Sequence, residues 1–251
     1  MPRYRLTLEY DGTPFRGWQR QPAGLPSVQE AVEAAVLRSA GEQVTVTAAG
    51  RTDAGVHALG QVAHLDLARE WAPERLAGAV NQHLRPLPVA VLDARSVPDD
   101  FHARFSAVRR AYIYRILNRR APPGLERDRC WHVPVRLEHE HMREAAQALV
   151  GRHDFTSFRS SECQALTPVK TLELVDVART VPGVIEVRIK ARSFLHHQVR
   201  NIVGTLKLVG EGKAGTSHLS EVLAARDRGA AGATAPAAGL FLESVGYPPA
   251  G

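Results

Sequence analysis

The sequence predicts an α/β (α+β) fold of two ferredoxin-like halves, each ordered β-α-β-β-α-β with a mainly antiparallel sheet. Three observations carry this. Short alternating runs are interleaved with helix-period segments in the same order in both halves. A capping box, Ser27-Val28-Gln29-Glu30, marks a helix start in the first half. A polar stretch with a proline, Val97-Pro98-Asp99-Asp100, separates residues 1–100 from residues 101–251. The halves share no visible sequence identity, so the repeat is one of architecture. Two such sheets side by side leave a cleft between them.

The first half opens with a strand at Arg3 to Tyr10 and a helix at Val28 to Ser39, whose Val28, Val32 and Val36 share one face. Strands follow near 44–48 and 61–67. A helix starts at Pro73, a favoured first helical residue, and a strand runs from Val89 to Ser96. In the second half a strand covers Ala107 to Leu117, and a helix near 138–150 stacks Met142, Ala145, Ala146 and Leu149. Strands near 171–178 and 184–190 precede a helix from Leu195 to Val209 with Val199, Ile202, Val203 and Leu206 inward. A further helix near 218–227, a loop of small residues at 229–236 and a last strand, Leu240 to Tyr247, complete the chain.

Hydrophobic residues at 44% and charged residues at 23% suit a globular protein. Formal charge is +6, which points weakly to an anionic partner, since many basic proteins bind no nucleic acid. Of 32 basic residues only Lys170, Lys190, Lys207 and Lys213 are lysines, leaving 28 arginines. The arginine fork matches phosphate, although a codon bias would also explain it. Cys130 and Cys163 lack metal-motif spacing. With no signal peptide or membrane-length apolar run, a cytoplasmic protein is expected.

The segment Gly50-Arg51-Thr52-Asp53-Ala54-Gly55-Val56-His57 sets one carboxylate between an arginine and a tight glycine turn. A carboxylate beside a cation stays ionised at neutral pH and can act as a nucleophile. A lone Arg-x-Asp is more often a turn cap; the length of this string and the features around it favour chemistry. Residues 102–120 hold six arginines and no acid, interleaved with Tyr112 and Tyr114. On a strand Arg110, Tyr112 and Tyr114 share a face, which suits either a core with solvated arginines or an RNA surface with a stacking ring.

Arg200, in Phe194 to Asn201, lies off the apolar stripe of its helix. It is either a surface arginine or a partner for a carboxylate. His196 and His197, with His57 and His64, raise a zinc reading, given little weight without a His-Glu-x-x-His or cysteine pattern. The loop Asp11 to Gln21 is not a P-loop, and no G-x-G-x-x-G follows a strand. No nucleotide cofactor, metal or other cofactor is expected.

These residues carry a resemblance. Tyr10-Asp11-Gly12, Gly17 to Gln21, Gly50 to His57, Gly60-Gln61-Val62, Asp100 to Ala107, Tyr112 and Tyr114, Asp154 to Phe158, Phe194, His196 to Gly204, and Gly239-Leu240 run through nearly the whole chain in order. The chain resembles the bacterial tRNA pseudouridine synthase A family, which acts on the tRNA anticodon arm. The resemblance implies a homodimer that isomerises uridines at positions 38, 39 and 40, in a cleft between two halves of ferredoxin-like or RRM-like fold. It implies Asp53 as nucleophile, Arg200 as its ionic partner, and Tyr112 stacked on the flipped base or taking the C5 proton. Arg51 would fill the vacated place in the RNA stem, and His57, Arg109 and Arg110 would contact the substrate. A non-catalytic RNA-binding or RNA-folding protein is the main alternative; a pure binder gains nothing from a carboxylate facing a polyanion. A metal-dependent nuclease, which would need clustered acids, is a weaker one.

Overall fold

Strand β1 (Arg3–Tyr10) has period two and buries Tyr4, Leu6, Leu8 and Tyr10. Helix α1 (Val28–Ala40) starts where Ser27 Oγ accepts from the Glu30 N–H and stops at Gly41, which takes the left-handed backbone of a C-cap. Its stripe of Val28, Val32 and Val36 is buried as the spacing predicts. β2 (Thr47–Ala48), β3 (His57–Asp66), α2 (Pro73–Leu84) and β4 (Val89–Val97) follow. β1 pairs antiparallel with both β3 and β4, and β2 pairs with β3. The strand order β4-β1-β3-β2 is that of a ferredoxin-like sheet. The computed structural model describes residues 1–22 and 24–248.

The strand expected over 44–48 is shorter than its alternation suggests. The cause is Glu33, a buried carboxylate on α1. Its Oε1 accepts the Val46 N–H at 3.0 Å and Gln29 Nε2 at 2.9 Å, and Arg20 pairs with its Oε2. The Val46 N–H is thereby spent on a side chain instead of a strand ladder. β3 begins at His57, four residues before the expected start.

The second unit holds β5 (Arg109–Leu117), β6 (Trp131–His132), α3 (His139–Ala146), β7 (Gly151–Asp154), β8 (Val169–Val181), β9 (Val184–Ala191), α4 (Gln198–Gly210) and α5 (His218–Ala225). Its strand order is β5-β9-β8-β7, all antiparallel, with β6 beside β5. Met142, Ala145 and Ala146 on α3 are buried, as are Val199, Ile202, Val203 and Leu206 on α4. The short β6 and β7 were not expected; at two and four residues they show no periodicity to read. α4 starts at Gln198 instead of Leu195 because His197 turns left-handed at φ +62°.

The last strand, β10 (Leu240–Gly246), corrects the expected division. Phe241 and Leu242 pair in parallel with His57 and Ala58 of β3. The two compact units are Met1–Val108 with Phe241–Gly251, and Arg109–Leu240, instead of a single cut at residue 100. The sheet pairing of β10 outweighs its nearness in sequence to α5. Among the described residues no helix is long and apolar enough to cross a membrane.

Candidate active site

In the first unit the Asp53 loop joins β2 to β3. The loop after β1 holds it through main-chain groups. Trp18 N–H donates to Thr52 O at 3.0 Å, Gly55 N–H to Phe15 O at 3.4 Å, and Val56 N–H closes a turn on Asp53 O at 3.1 Å. Gly17 makes this approach possible. Its φ is +92°, and a Cβ there would lie 2.5 Å from Thr52 O and 3.1 Å from the Asp53 carbonyl carbon. The side chains beneath are polar and satisfied. Tyr10 Oη lies 2.8 Å from Thr52 Oγ1, and Gln61 Nε2 donates to Gly50 O at 2.8 Å. Burial pushes the Tyr10 hydroxyl up to about 12, so it stays protonated at neutral pH.

Asp53 is half-buried at the tip of this loop and Arg51 is exposed. His57 is buried at the other end. Its Nδ1 accepts the Gly12 N–H at 3.0 Å, and its ring stacks on Phe241 at a centroid distance of 4.6 Å. Asp11 Oδ1 lies 3.2 Å from the same nitrogen; with Gly12 as donor to that atom, the carboxylate contact is not an ion pair. His64 Nδ1 likewise accepts a backbone N–H, from Ala103 at 3.2 Å. Both imidazoles thus brace main chain. Burial, first of all, lowers the pKa of His64.

In the second unit β5 presents the aromatic and basic residues. Tyr112 is half-buried and meets Phe194 edge-on, 5.1 Å between centroids. Tyr114 is fully buried, and its hydroxyl donates to Pro236 O at 2.7 Å. Burial drives that hydroxyl far above the usual tyrosine range, so it is a fixed donor. The arginines of β5 are less free than the acid-free segment suggests. Arg109 Nε lies 2.6 Å from Glu173 of β8 and Arg115 Nε 3.3 Å from Glu186 of β9, while Arg110 donates to Arg192 O at 2.6 Å. The acids that meet Arg109 and Arg115 come from β8 and β9, far along the chain, which a linear reading does not see.

Arg200 stands half-buried in the first turn of α4. Its Nε donates to Ala235 O at 2.8 Å, and the Ala235 N–H returns to Arg200 O at 3.1 Å. Residues 228–236 are strapped along α4 by side chains. Asn201 Oδ1 accepts from Thr234 Oγ1 at 2.7 Å and from Arg228 Nη2 at 3.1 Å, and Gly232 N–H donates to Thr205 Oγ1 at 3.0 Å. Gly204 lets the strap touch the helix, since a Cβ there would sit 1.8 Å from Ala233 O. Asn201, Thr205, Arg228 and Thr234 were missed at the sequence level. The available signal was a glycine inside a helix paired with a distant run of small residues.

Of the expected site residues, Arg51 and Asp53 therefore share one loop of the first unit, and His57 opens the strand β3 that follows it. Arg109, Arg110 and Tyr112 share β5, and Arg200 belongs to α4 of the second. The match to known proteins is full-length. The model of a family described as tRNA pseudouridine synthase matches residues 7–106 and 145–248. A protein named tRNA pseudouridine synthase A from Rhodospirillum centenum is 61% identical over 98% of this chain and 100% of its own length. One of the same name from Paramagnetospirillum magneticum is 59% identical over 100% of this chain and 97% of its own. With the fold and these matches together, the chain belongs to the tRNA pseudouridine synthase family, isomerases that turn uridine into pseudouridine.

Proposed function

We propose that this chain isomerises uridines 38, 39 and 40 of the tRNA anticodon stem-loop, with Asp53 as nucleophile. The observation that carries the reading is the Asp53 loop, a carboxylate held by main-chain contacts next to an exposed arginine, in a member of this family. A nucleophile works best when its backbone cannot wander, because reacting atoms must be held about 3–3.5 Å apart.

The chemistry follows from the bonds involved. The target nucleotide leaves its stack, at a cost of a few kcal/mol, and Arg51 fills the space it vacates. The Asp53 carboxylate adds to the nucleotide, at C1′ of the ribose or C6 of the base. The N1–C1′ bond breaks, the uracil turns while still enclosed, and C5 bonds to C1′ as the aspartate departs. The C5 proton then leaves to a base, a role assigned here to the Tyr112 hydroxyl, whose ring also stacks on the uracil. N1 ends protonated, so product and substrate are isomers. Arg200 pairs with Asp53 and keeps it charged and oriented. His57, Arg109 and Arg110 contact the substrate. The enzyme works in the cytoplasm as a homodimer, with one tRNA across both subunits.

Incubating the protein with unmodified tRNA in chelator, then mapping pseudouridine, tests the reading. Product confined to positions 38–40 is expected. Tight tRNA binding without product would replace it with a binding protein, and strand cleavage that chelator stops would replace it with a nuclease.

A further inference from the structure

A pocket of about 500 Å³ lies wholly within the second unit, between residues 156–161, the start of α4 and residues 226–234. Every residue lining it is polar. Arg159, Arg226 and Arg228 face it against a single carboxylate, that of Asp227. Among the described residues, only two other than glycine have a left-handed backbone, His197 at φ +62° and Arg226 at φ +51°, and both line this pocket. Arg226 is the C-cap of α5 and His197 the residue just before α4, so the ends of two helices meet at the pocket.

The arginines divide into two kinds. Arg228 is structural, donating to Ala231 O, Gly232 O, Asn201 Oδ1 and Thr234 Oγ1, and so forms the floor. Arg159 donates from Nη2 to Cys163 O at 2.8 Å. Arg226 is 70% exposed, with Nε 3.7 Å from Asp154 Oδ2. A guanidinium has five N–H donors, more than these contacts take up. α4 begins at the pocket wall, and no side chain caps its N-terminus at His197, so the positive end of a 13-residue helix dipole adds to the field. The lining holds no Leu, Ile, Val, Met, Phe, Tyr or Trp side chain to seat an apolar ligand, and one carboxylate is too few for a cation. A singly charged phosphodiester matches both the charge and the donors.

We propose that this pocket is a phosphate subsite for the backbone of the RNA substrate, with Arg159 and Arg226 as donors on the rigid floor of Arg228, Asn201 and Thr234. The inference rests on the RNA-substrate reading above. It adds a contact point outside the Asp53 loop and the β5 arginines, one that fixes register without reading sequence.

The test measures wild-type enzyme, Arg159→Gln, Arg226→Gln and their double variant for KM and kcat on tRNA across a salt series. The double variant should raise KM on the order of tenfold, the loss falling on KM and not on kcat, as for one strong charge-assisted contact removed. Its dependence of log KM on log salt should flatten by roughly one unit per lost phosphate contact. Asp154→Asn separates binding from structure. It removes the carboxylate partner of Arg226 but keeps the guanidinium, so KM should hold or fall; a KM as poor as that of Arg226→Gln would make the ion pair structural and overturn the proposal. A second arm titrates inorganic phosphate into the tRNA-free protein. Phosphate binding lost in the double variant while KM for tRNA and its salt slope stay at wild-type values would assign the pocket to free phosphate and overturn the RNA subsite. A wild-type enzyme that makes no pseudouridine in the same assay would sink the parent reading instead, a result distinct from either.

Discussion

Asp53 and Arg200 are immobilised by different means. The Asp53 loop is held by main-chain hydrogen bonds from residues 15–18, with Gly17 allowing the backbones to touch. Arg200 is held by a strap about thirty residues further along the chain, fixed to α4 by the side chains of Asn201, Thr205, Arg228 and Thr234. Main-chain clamping depends little on which side chains surround the loop. Side-chain strapping makes the orientation of Arg200 depend on every member of a part-buried network, and such networks fail when half satisfied. The first device should tolerate change around it; the second should not.

The largest expected effect beyond Asp53 itself falls on the strapped arginine. Arg200→Met should cut turnover severely with little change in tRNA affinity, because the proposed mechanism gives Arg200 the task of keeping the Asp53 carboxylate charged and oriented. Single-turnover kinetics checks this, and near-normal turnover would make Arg200 a surface residue. Next, Gly204→Ala should destabilise the fold by about 3 kcal/mol through overpacking against Ala233 O. Gly78→Ala on α2, where a Cβ would meet nothing within 4 Å, should gain up to about 1 kcal/mol from helix propensity. Equal effects in denaturant titrations would mean that the strap does not press on α4.

The two tyrosines sharpen the contrast further. Tyr112→Phe should keep tRNA binding and the melting temperature but lose most turnover, since a hydroxyl removes the C5 proton in the proposed mechanism. Tyr114→Phe should retain turnover and cost about 1 kcal/mol of stability, the worth of one buried hydrogen bond to Pro236 O. An active Tyr112→Phe leaves only stacking for that ring, and an inactive Tyr114→Phe would exchange the roles. The smallest effect belongs to β5. Neutralising Arg109, Arg110 and Arg115 together should weaken all tRNA substrates similarly and flatten the salt dependence. Pairing with Glu173 and Glu186 already offsets part of two of these charges, so the slope should fall by less than three contacts' worth.

What the sequence makes legible follows the same divide. The stripes of α1, α3 and α4, the capping box at Ser27 and the long strands are local patterns, and the structure repeats them. The Asp53 loop is a contiguous string, so it stands out as well. The strap over α4, the acids paired with the β5 arginines and the parallel pairing of Phe241 with His57 join residues far apart in sequence. No periodicity reports them. Glu33 shows the cost of that blindness, since a buried carboxylate binding Val46 N–H shortened a strand that its alternation promised.

Asp53→Asn, measured for pseudouridine formation in unmodified tRNA and, in parallel, for tRNA affinity, tests the proposed nucleophile most directly. The amide keeps the shape of the side chain but cannot act as the nucleophile, and it removes one negative charge facing a polyanion. No product, with affinity equal to wild type or tighter, is the result predicted. Turnover above a trace in the Asn variant would contradict the assignment of Asp53 as the nucleophile.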